Sequence, residues 1–140
     1  GYFNQKAQRL ICISQLMQDF LPPEDIPGAR KFILNLKGIG PEKADSILLY
    51  AFDLPVFVID TYTHRLFNRL GVVPDNASYS DLQQLFMQHL KPDPRLYNEY
   101  HALIVRHAKL HCRKQPVCLN CPFSTICRFA LEQEAGQLCT

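Results

Sequence analysis

Apolar residues recur at helical spacing along most of the chain. Between residues 4 and 20 they form a stripe that predicts an amphipathic helix, which ends before Pro22 and Pro23. The same spacing predicts further helices over residues 29–36, 41–52, 61–70, 79–90 and 95–111. Residues 56–59 are apolar and β-branched but have no partner strand, so we interpret them as a buried connector. The pattern therefore predicts an all-α fold.

Composition adds few restrictions to this picture. The 140 residues suffice for one domain or part of one, and the net charge is only +2. The longest apolar stretch, residues 46–59, is interrupted by Asp53 and Pro55, so no membrane span or membrane partner is expected. No signal peptide is visible, which favours a cytoplasmic protein. Between Tyr100 and Leu131 there are five bases and no acid, which suits a phosphate backbone but also an ordinary solvated face.

A pair of glycines separates two of the predicted helices. In Gly38-Ile39-Gly40-Pro41, the glycines permit the unusual backbone angles of a tight turn, and Ile39 is expected to point inward. Pro41 suits the first position of the following helix, whose free amides form an anion site. We interpret this hairpin as a site that binds one phosphate without reading base sequence. An ordinary tight connection between helices is the simpler alternative.

Asp60 follows the apolar connector directly and precedes a predicted helix. A carboxylate at a helix start can serve as an N-cap. A carboxylate that faces a cleft can also activate water or stabilise a developing cation. The two roles are compatible, and the sequence alone leaves both open.

Four cysteines lie close together near the C-terminus, in the spacing Cys112-x5-Cys118-x2-Cys121-x5-Cys127. This crowding indicates a metal site in a reducing compartment rather than disulfides. Four thiolates can hold a tetrahedral zinc ion or a 4Fe–4S cluster. Zinc sites usually combine two short Cys-x-x-Cys pairs, and this loop has one, so the spacing favours the cluster. The nearby histidines do not extend this spacing, and we interpret them as helix-surface or packing residues: His64, His101, His107 and His111.

Taken in order, the hairpin, the aspartate and the cysteine loop resemble the helix-hairpin-helix DNA glycosylases of the endonuclease III superfamily. The resemblance extends from Gly1 to about Phe129, and the hairpin looks most similar to the 3-methyladenine glycosylases of that superfamily. It implies a helical glycosylase-like domain with a four-cysteine iron–sulfur loop. The implied divisions are a helical part at residues 1–111 with the hairpin at 29–52, a cluster loop at 112–127 and a tail at 128–140.

The resemblance also implies roles for individual residues. Asp60 corresponds to the catalytic aspartate, which helps to break the N-glycosidic bond of a nucleotide flipped out of double-stranded DNA. Tyr62 could line the pocket and stack on the flipped base. The residues expected to contact DNA are Gly38, Ile39, Gly40, Lys43, Arg113 and Lys114. The expected ligands of the 4Fe–4S cluster, or alternatively of zinc, are Cys112, Cys118, Cys121 and Cys127, although their first gap is one residue shorter than the family pattern.

One position bears on the type of reaction. Family members that also cut the DNA backbone carry a lysine at the second position after the last hairpin glycine, where this chain has Glu42. Lys43 is the next residue, but one step along a helix rotates a side chain by about 100°, so we expect Lys43 to point away from the pocket. Without an amine nucleophile, water attacks and the enzyme is monofunctional. Glu42 is expected to line the pocket and to favour positively charged bases.

The sequence therefore predicts a monomeric base-excision-repair glycosylase for alkylated purines such as 3-methyladenine, associated with the nucleoid of a bacterium or archaeon. The family has further helices before the segment that starts here, so the 140 residues alone are expected to fold and bind metal but could lack catalysis. Three alternatives remain open. They are a bifunctional endonuclease III-type glycosylase and lyase for oxidised pyrimidines, a non-catalytic DNA-binding module, and a zinc-binding interaction domain.

Overall fold

The computed structural model describes residues 3–18 and 25–137 of the chain. Within these residues every regular element is a helix, which confirms the all-α prediction. The helices are α1 (Phe3–Gln18), α2 (Ile26–Leu34), α3 (Pro41–Tyr50), α4 (Thr61–Leu70), α5 (Tyr79–His89), α6 (Pro94–Leu110) and α7 (Arg128–Gln137). None of these described helices has the length and apolar content that crossing a membrane requires.

Helix ends differ from the prediction where capping residues set them. α4 has its predicted bounds and ends at Gly71, which adopts the left-handed conformation with φ +84°. α2 begins at Ile26, three residues earlier than predicted, because the Asp25 side chain accepts the Gly28 amide proton at 2.7 Å. α7 lies in the segment interpreted only as a tail. Residues 19–24, where the first predicted helix ended, and residues 138–140 lie outside the described part of the chain.

The apolar stripe of the first helix is partly exposed among the residues that the structure describes. Leu10 and Ile11 are 67% and 57% exposed, whereas Ile13 packs against the core. The helix itself is as predicted over the described residues, but its apolar stripe is exposed at Leu10 and Ile11.

Two clusters of buried side chains form the core. The larger cluster contains the stacked rings of Phe57 and Phe86, whose centroids are 4.0 Å apart. The smaller cluster joins α2 and α3. Residues 56–59 are buried and form no strand, which confirms the connector interpretation. Val56 belongs to the smaller cluster and the next three residues to the larger, so the buried connector runs from one cluster into the other before it reaches Asp60.

A buried carboxylate links the hairpin helices to α5. Asp45 is fully buried and accepts hydrogen bonds from Arg30 at 2.6 and 3.0 Å. It also accepts hydrogen bonds from the Tyr79 hydroxyl and from the Gln83 side-chain amide, each at 2.7 Å. Burial and the bond to Asp45 both raise the pKa of Tyr79. Gln83 also donates to the Phe57 carbonyl oxygen at 2.7 Å, so the network fixes the hairpin relative to the connector.

Candidate functional site

The turn between α2 and α3 uses its two glycines differently. Gly38 has a φ of +90°, in the left-handed region that favours glycine. Gly40 is extended, with φ −98° and ψ 177°, so the expectation that both glycines need unusual angles is wrong for Gly40. A Cβ on Gly40 would meet no heavy atom within 4 Å, so this residue leaves open space at the surface. Ile39 is 8% exposed and packs in the smaller cluster, as predicted.

The first turn of α3 has no side-chain cap. Gly40 is the N-cap, Pro41 occupies the first helical position, and no side chain bonds to the amides of this turn. Glu42 is exposed in the same turn, and its backbone carbonyl oxygen accepts a hydrogen bond from the Ser46 hydroxyl at 2.7 Å. The uncapped amides, the helix dipole and the open space at Gly40 together suit an approaching phosphate oxygen.

Lys43 is exposed and contacts the hairpin. Its Nζ donates to the Gly38 carbonyl oxygen at 3.3 Å, so the ammonium adds a positive charge to the turn. Lys43 lies seven residues before Tyr50, about two helical turns, so the two residues share one face of α3. The Lys43 amine itself is hydrogen-bonded to the hairpin backbone.

Asp60 is the N-cap of α4, which confirms the first of the two roles predicted for it. Its Oδ1 accepts hydrogen bonds from the Thr63 amide at 2.7 Å and from the Thr63 hydroxyl at 2.8 Å. Burial alone would raise the pKa of this carboxyl, but His101 and Thr63 outweigh burial and hold the pKa below its usual value. Asp60 is therefore an ionised, partly buried carboxylate with one oxygen held in place.

Sequence reasoning missed the histidine beside Asp60. His101 of α6, interpreted as a surface or packing residue, has its Nε2 3.5 Å from Asp60 Oδ2. Its Nδ1 lies 2.7 Å from the hydroxyl oxygen of Tyr50. Tyr50 and His101 are 51 positions apart in the sequence, so no local spacing could have indicated that they meet.

Tyr62 forms part of a basic cleft of about 340 Å³. The Arg65 guanidinium and the Lys109 ammonium lie 5.1 and 5.9 Å from the centroid of its ring. The loop residues Arg113 and Lys114 also line the cleft. The structure thus brings together the predicted pocket residue Tyr62 and two predicted DNA-contact residues. It adds Arg65 and Lys109 to the same cleft.

The four cysteines of the loop are free thiols that line one cavity. Burial, followed by the charges of the other three cysteines, raises the pKa of the Cys118 thiol, while Arg69 lowers it. Cys121 Sγ lies 3.6 Å from His107 Nε2, so this histidine borders the loop. Within residues 3–18 and 25–137, no three histidine, cysteine or acidic side chains converge as a site for a single metal ion.

Two arginines of α4 hold the start of the loop. Arg65 Nε donates to the Cys112 carbonyl oxygen at 2.8 Å. The Arg69 guanidinium donates to the carbonyl oxygens of Arg113 and Lys114 at 2.6 and 3.0 Å, and lies 3.4 Å from Cys112 Sγ. Because these bonds use backbone carbonyls, the side chains of Arg113 and Lys114 stay exposed.

Comparison with known proteins assigns the chain to one family of DNA repair proteins. Residues 1–92 match the family described as HhH-GPD superfamily base excision DNA repair protein. A Methanocaldococcus jannaschii protein, named as a candidate DNA repair glycosylase, is 41% identical over 135 residues, which are 91% of this chain and 61% of that protein. Endonuclease III of Sulfolobus acidocaldarius is 29% identical over 135 residues, which are 94% of this chain and 60% of that protein. The chain thus spans about three fifths of the length of these relatives.

Solved structures share the fold. A non-covalent complex of endonuclease III with DNA matches with a TM-score of 0.78 at 23% identity, over 96% of this chain and 62% of that chain. The 3-methyladenine DNA glycosylase of H. pylori, bound to 1,N6-ethenoadenine, matches with a TM-score of 0.60 at 30% identity, over 79% of this chain and 58% of that chain. These matches confirm the predicted helix-hairpin-helix glycosylase fold.

Proposed function

Because the chain belongs to the HhH-GPD superfamily of base excision DNA repair proteins, we propose that it is the part of a DNA glycosylase that carries the catalytic aspartate. The reaction is hydrolysis of the N-glycosidic bond of a damaged base in double-stranded DNA. The observation that carries this proposal is the state of Asp60. Its carboxylate is ionised, and Thr63 bonds only to Oδ1, so Oδ2 remains available to stabilise a cationic sugar.

The hairpin and the basic cleft supply two contacts with the DNA backbone. At the hairpin, the uncapped amides after Gly40 and the ammonium of Lys43 offer donors to one phosphate. In the cleft, Arg113 and Lys114 offer positive charge without any acidic neighbour in the lining. Both contacts are independent of base sequence, as a protein that searches for rare damage requires.

Alkylated purines are the substrate class that fits these residues best. The positive charge of an alkylated purine weakens its glycosidic bond, so a single carboxylate with water as nucleophile suffices. The Lys43 amine is bonded to the Gly38 carbonyl oxygen, which supports a monofunctional enzyme. Glu42 is exposed in the first turn of α3, where its charge would favour a cationic base over a neutral one.

The cysteine loop fits a 4Fe–4S cluster. Such a cluster takes one thiolate for each iron, and the four thiols of this loop line one cavity. When bound, the cluster would cross-link residues 112–127. The contacts of Arg65 and Arg69 with the loop backbone would then hold Arg113 and Lys114 at the cleft.

A second candidate function is a bifunctional glycosylase and lyase. The observation in its favour is that Lys43 and Tyr50 leave α3 on the same side, while Tyr50 reaches the histidine beside Asp60. If the Lys43 amine released the Gly38 carbonyl and lost a proton, it could attack C1′ of the sugar. The N-glycosidic bond would then break, the damaged base would leave, and the sugar ring would open to give a Schiff base.

The decisive experiment is base release by the full-length protein from methylated duplex DNA and from a thymine-glycol duplex, with a borohydride trap. We expect release of 3-methyladenine without a trapped adduct, and loss of release in Asp60→Asn with binding to an abasic duplex retained. Asp75→Asn, an exposed acid in a turn, is the matched control. A trapped adduct that disappears in Lys43→Gln would establish the bifunctional alternative. DNA binding without release of any base would establish the non-catalytic module.

A further inference from the structure

His101 lies between a phenol and a carboxylate where α6 packs against α3 and α4. Its Nδ1 is 2.7 Å from the Tyr50 hydroxyl oxygen, and its Nε2 is 3.5 Å from Asp60 Oδ2. The side chains of His101 and Asp60 are only 13% and 12% exposed. Nε2 is buried and makes no hydrogen bond within the described part of the chain. The distance of 3.5 Å between Nε2 and Oδ2 is too long for a good hydrogen bond.

Tyr50 determines which ring nitrogen of His101 carries the proton. A neutral imidazole has one N–H donor and one bare acceptor nitrogen. Burial, followed by the charge of Asp60, raises the pKa of Tyr50, so its hydroxyl stays protonated and can donate to Nδ1. Nε2 then carries the proton and faces Asp60. The opposite tautomer would direct a buried lone pair at a carboxylate, which is unfavourable.

The hydrogen bonds of Asp60 distinguish its two oxygens. Oδ1 accepts two bonds from Thr63 and thereby uses both of its lone pairs. Oδ2 also has two lone pairs, and one of them can accept a hydrogen bond from the N–H at His101 Nε2. The second lone pair of Oδ2 is then the one that remains for a substrate.

We propose that Tyr50 and His101 are positioning residues that orient Asp60 Oδ2 toward the reacting sugar. This rests on the proposed function, in which Asp60 is the catalytic residue. Tyr50 keeps the proton on Nε2, and Nε2–H limits rotation of the carboxylate that Thr63 holds at its other oxygen. The 3.5 Å gap is expected to shorten when DNA fills the site, because catalytic hydrogen bonds are often long in a free enzyme.

Few titratable side chains lie close to His101 in the described part of the chain. The titratable side chains that contact its ring are Tyr50 from α3 and Asp60 from the start of α4. On α6 itself, Tyr97 lies one turn earlier and is buried. On substitution of His101, the acidic limb of the pH profile is the part that follows the Asp60 carboxyl, since a carboxyl titrates at lower pH than an imidazole or a phenol.

The first test determines the tautomer of the His101 ring by NMR and does not depend on catalytic activity. Long-range proton–nitrogen correlation spectra of the ¹⁵N-labelled full-length protein should show the Nε2–H tautomer at His101. Tyr50→Phe should shift the ring toward a mixture, because Nδ1 loses its donor. Tyr50 is 48% exposed, so this variant is expected to fold even where a replacement of His101 does not.

The second test measures single-turnover base release from methylated duplex DNA. His101→Leu should lower the rate about tenfold or more and move the acidic limb of the pH profile upward, because Asp60 loses a donor and its pKa rises. Affinity for an abasic duplex should not change. His101→Gln, whose amide can place an N–H near the position of Nε2, should recover part of the rate.

The outcomes separate this proposal from the function on which it rests. An Nδ1–H tautomer with normal base release overturns the positioning role alone. Equal losses in His101→Leu and His101→Gln with an unmoved acidic limb also overturn it, since they indicate a purely structural histidine. Absence of base release by the unaltered protein overturns the proposed function itself.

Discussion

The Arg30 guanidinium and the Asp45 carboxylate form a two-point ion pair across the hairpin. Nε lies 2.6 Å from Oδ1 and Nη2 lies 3.0 Å from Oδ2. The bond to Asp45 raises the pKa of Arg30 despite its partial burial. Asp45 is fully buried, whereas the Arg30 side chain is 29% exposed, so the pair joins the protein interior to the surface of α2. It fixes α2 against α3, and hence the turn between them.

Removal of the Asp45 carboxylate should destabilise the whole domain. Asp45→Ala leaves the donors of Tyr79 and Gln83 without their acceptor, which we expect to lower the free energy of unfolding by about 3 kcal/mol. The loss should lie at the low end for a buried pair because Arg30 can reach water. Urea unfolding of Asp45→Ala measures the change, and Asp75→Ala is the exposed control. An unchanged midpoint for Asp45→Ala would show that the network is not stabilising.

The hydroxyl of Thr63 should determine how the fold responds to acid. The pKa of Asp60 lies below its usual value, so the carboxylate stabilises the folded state above the unfolded-state pKa of about 3.9. That stability is lost as the pH falls through the lower folded-state pKa. Thr63→Val removes one donor to Oδ1 and should raise the pKa of Asp60.

At neutral pH, the free energy of unfolding of Thr63→Val should therefore be lower than that of the unaltered protein. Between neutral and strongly acidic pH, it should fall by less than in the unaltered protein. The measurement is the pH dependence of the urea midpoint. Thr61→Val, at the exposed neighbouring position, should behave like the unaltered protein. Parallel curves for the two variants would show that the Thr63 hydroxyl does not stabilise the ionised carboxylate.

Substitutions of the two hairpin glycines should have different effects, one on stability and the other on DNA binding. Gly38→Ala places a side chain at φ +90° and should cost about 1–2 kcal/mol of stability. Gly40→Ala has an ordinary extended backbone and open space, so its unfolding midpoint should barely change. Its affinity for duplex DNA should nevertheless fall, because the added methyl occupies the space where a phosphate approaches. Undiminished DNA affinity in Gly40→Ala would place the phosphate elsewhere.

Metal analysis should identify the group held by the cysteine loop. Protein purified without oxygen should contain iron and inorganic sulfide in equal amounts, about four of each per chain, and should be coloured. Cys118→Ser should lose both, whereas Cys139→Ser, outside the four-cysteine spacing, should retain them. Colourless protein with about one zinc ion per chain would instead establish the zinc alternative.

The charge of Glu42 should affect which bases are released. Glu42→Gln should reduce the preference for charged over neutral lesions about two- to fivefold, since an exposed charge contributes about 0.3–1 kcal/mol. The ratio of single-turnover rates on 3-methyladenine and on a neutral damaged base gives this preference. Glu99→Gln, on the exposed surface of α6, is the control. Equal ratios in all three proteins would exclude selection by Glu42.

Local signals in the sequence accounted for most of the fold. The Ser78 N-cap and Asp81 form the full capping box that starts α5, and Gly71 ends α4. Residues 56–59 are buried, as their apolar side chains predict. The predicted start of α2 at residue 29 is three residues too late, because the Asp25 cap and the proline in the first turn begin the helix at Ile26.

The sequence by itself determined the helical periodicity, the hairpin, the N-cap aspartate and the spacing of the cysteines, because each depends on residues within one or two turns of each other. Only the tertiary structure decided what surrounds them. Tyr50, Asp60 and His101 come from three separate parts of the chain, and Arg69 meets the loop 43 to 45 positions later. Such contacts arise when α6 and the loop pack on α4, and packing of distant segments leaves no periodic pattern in the sequence.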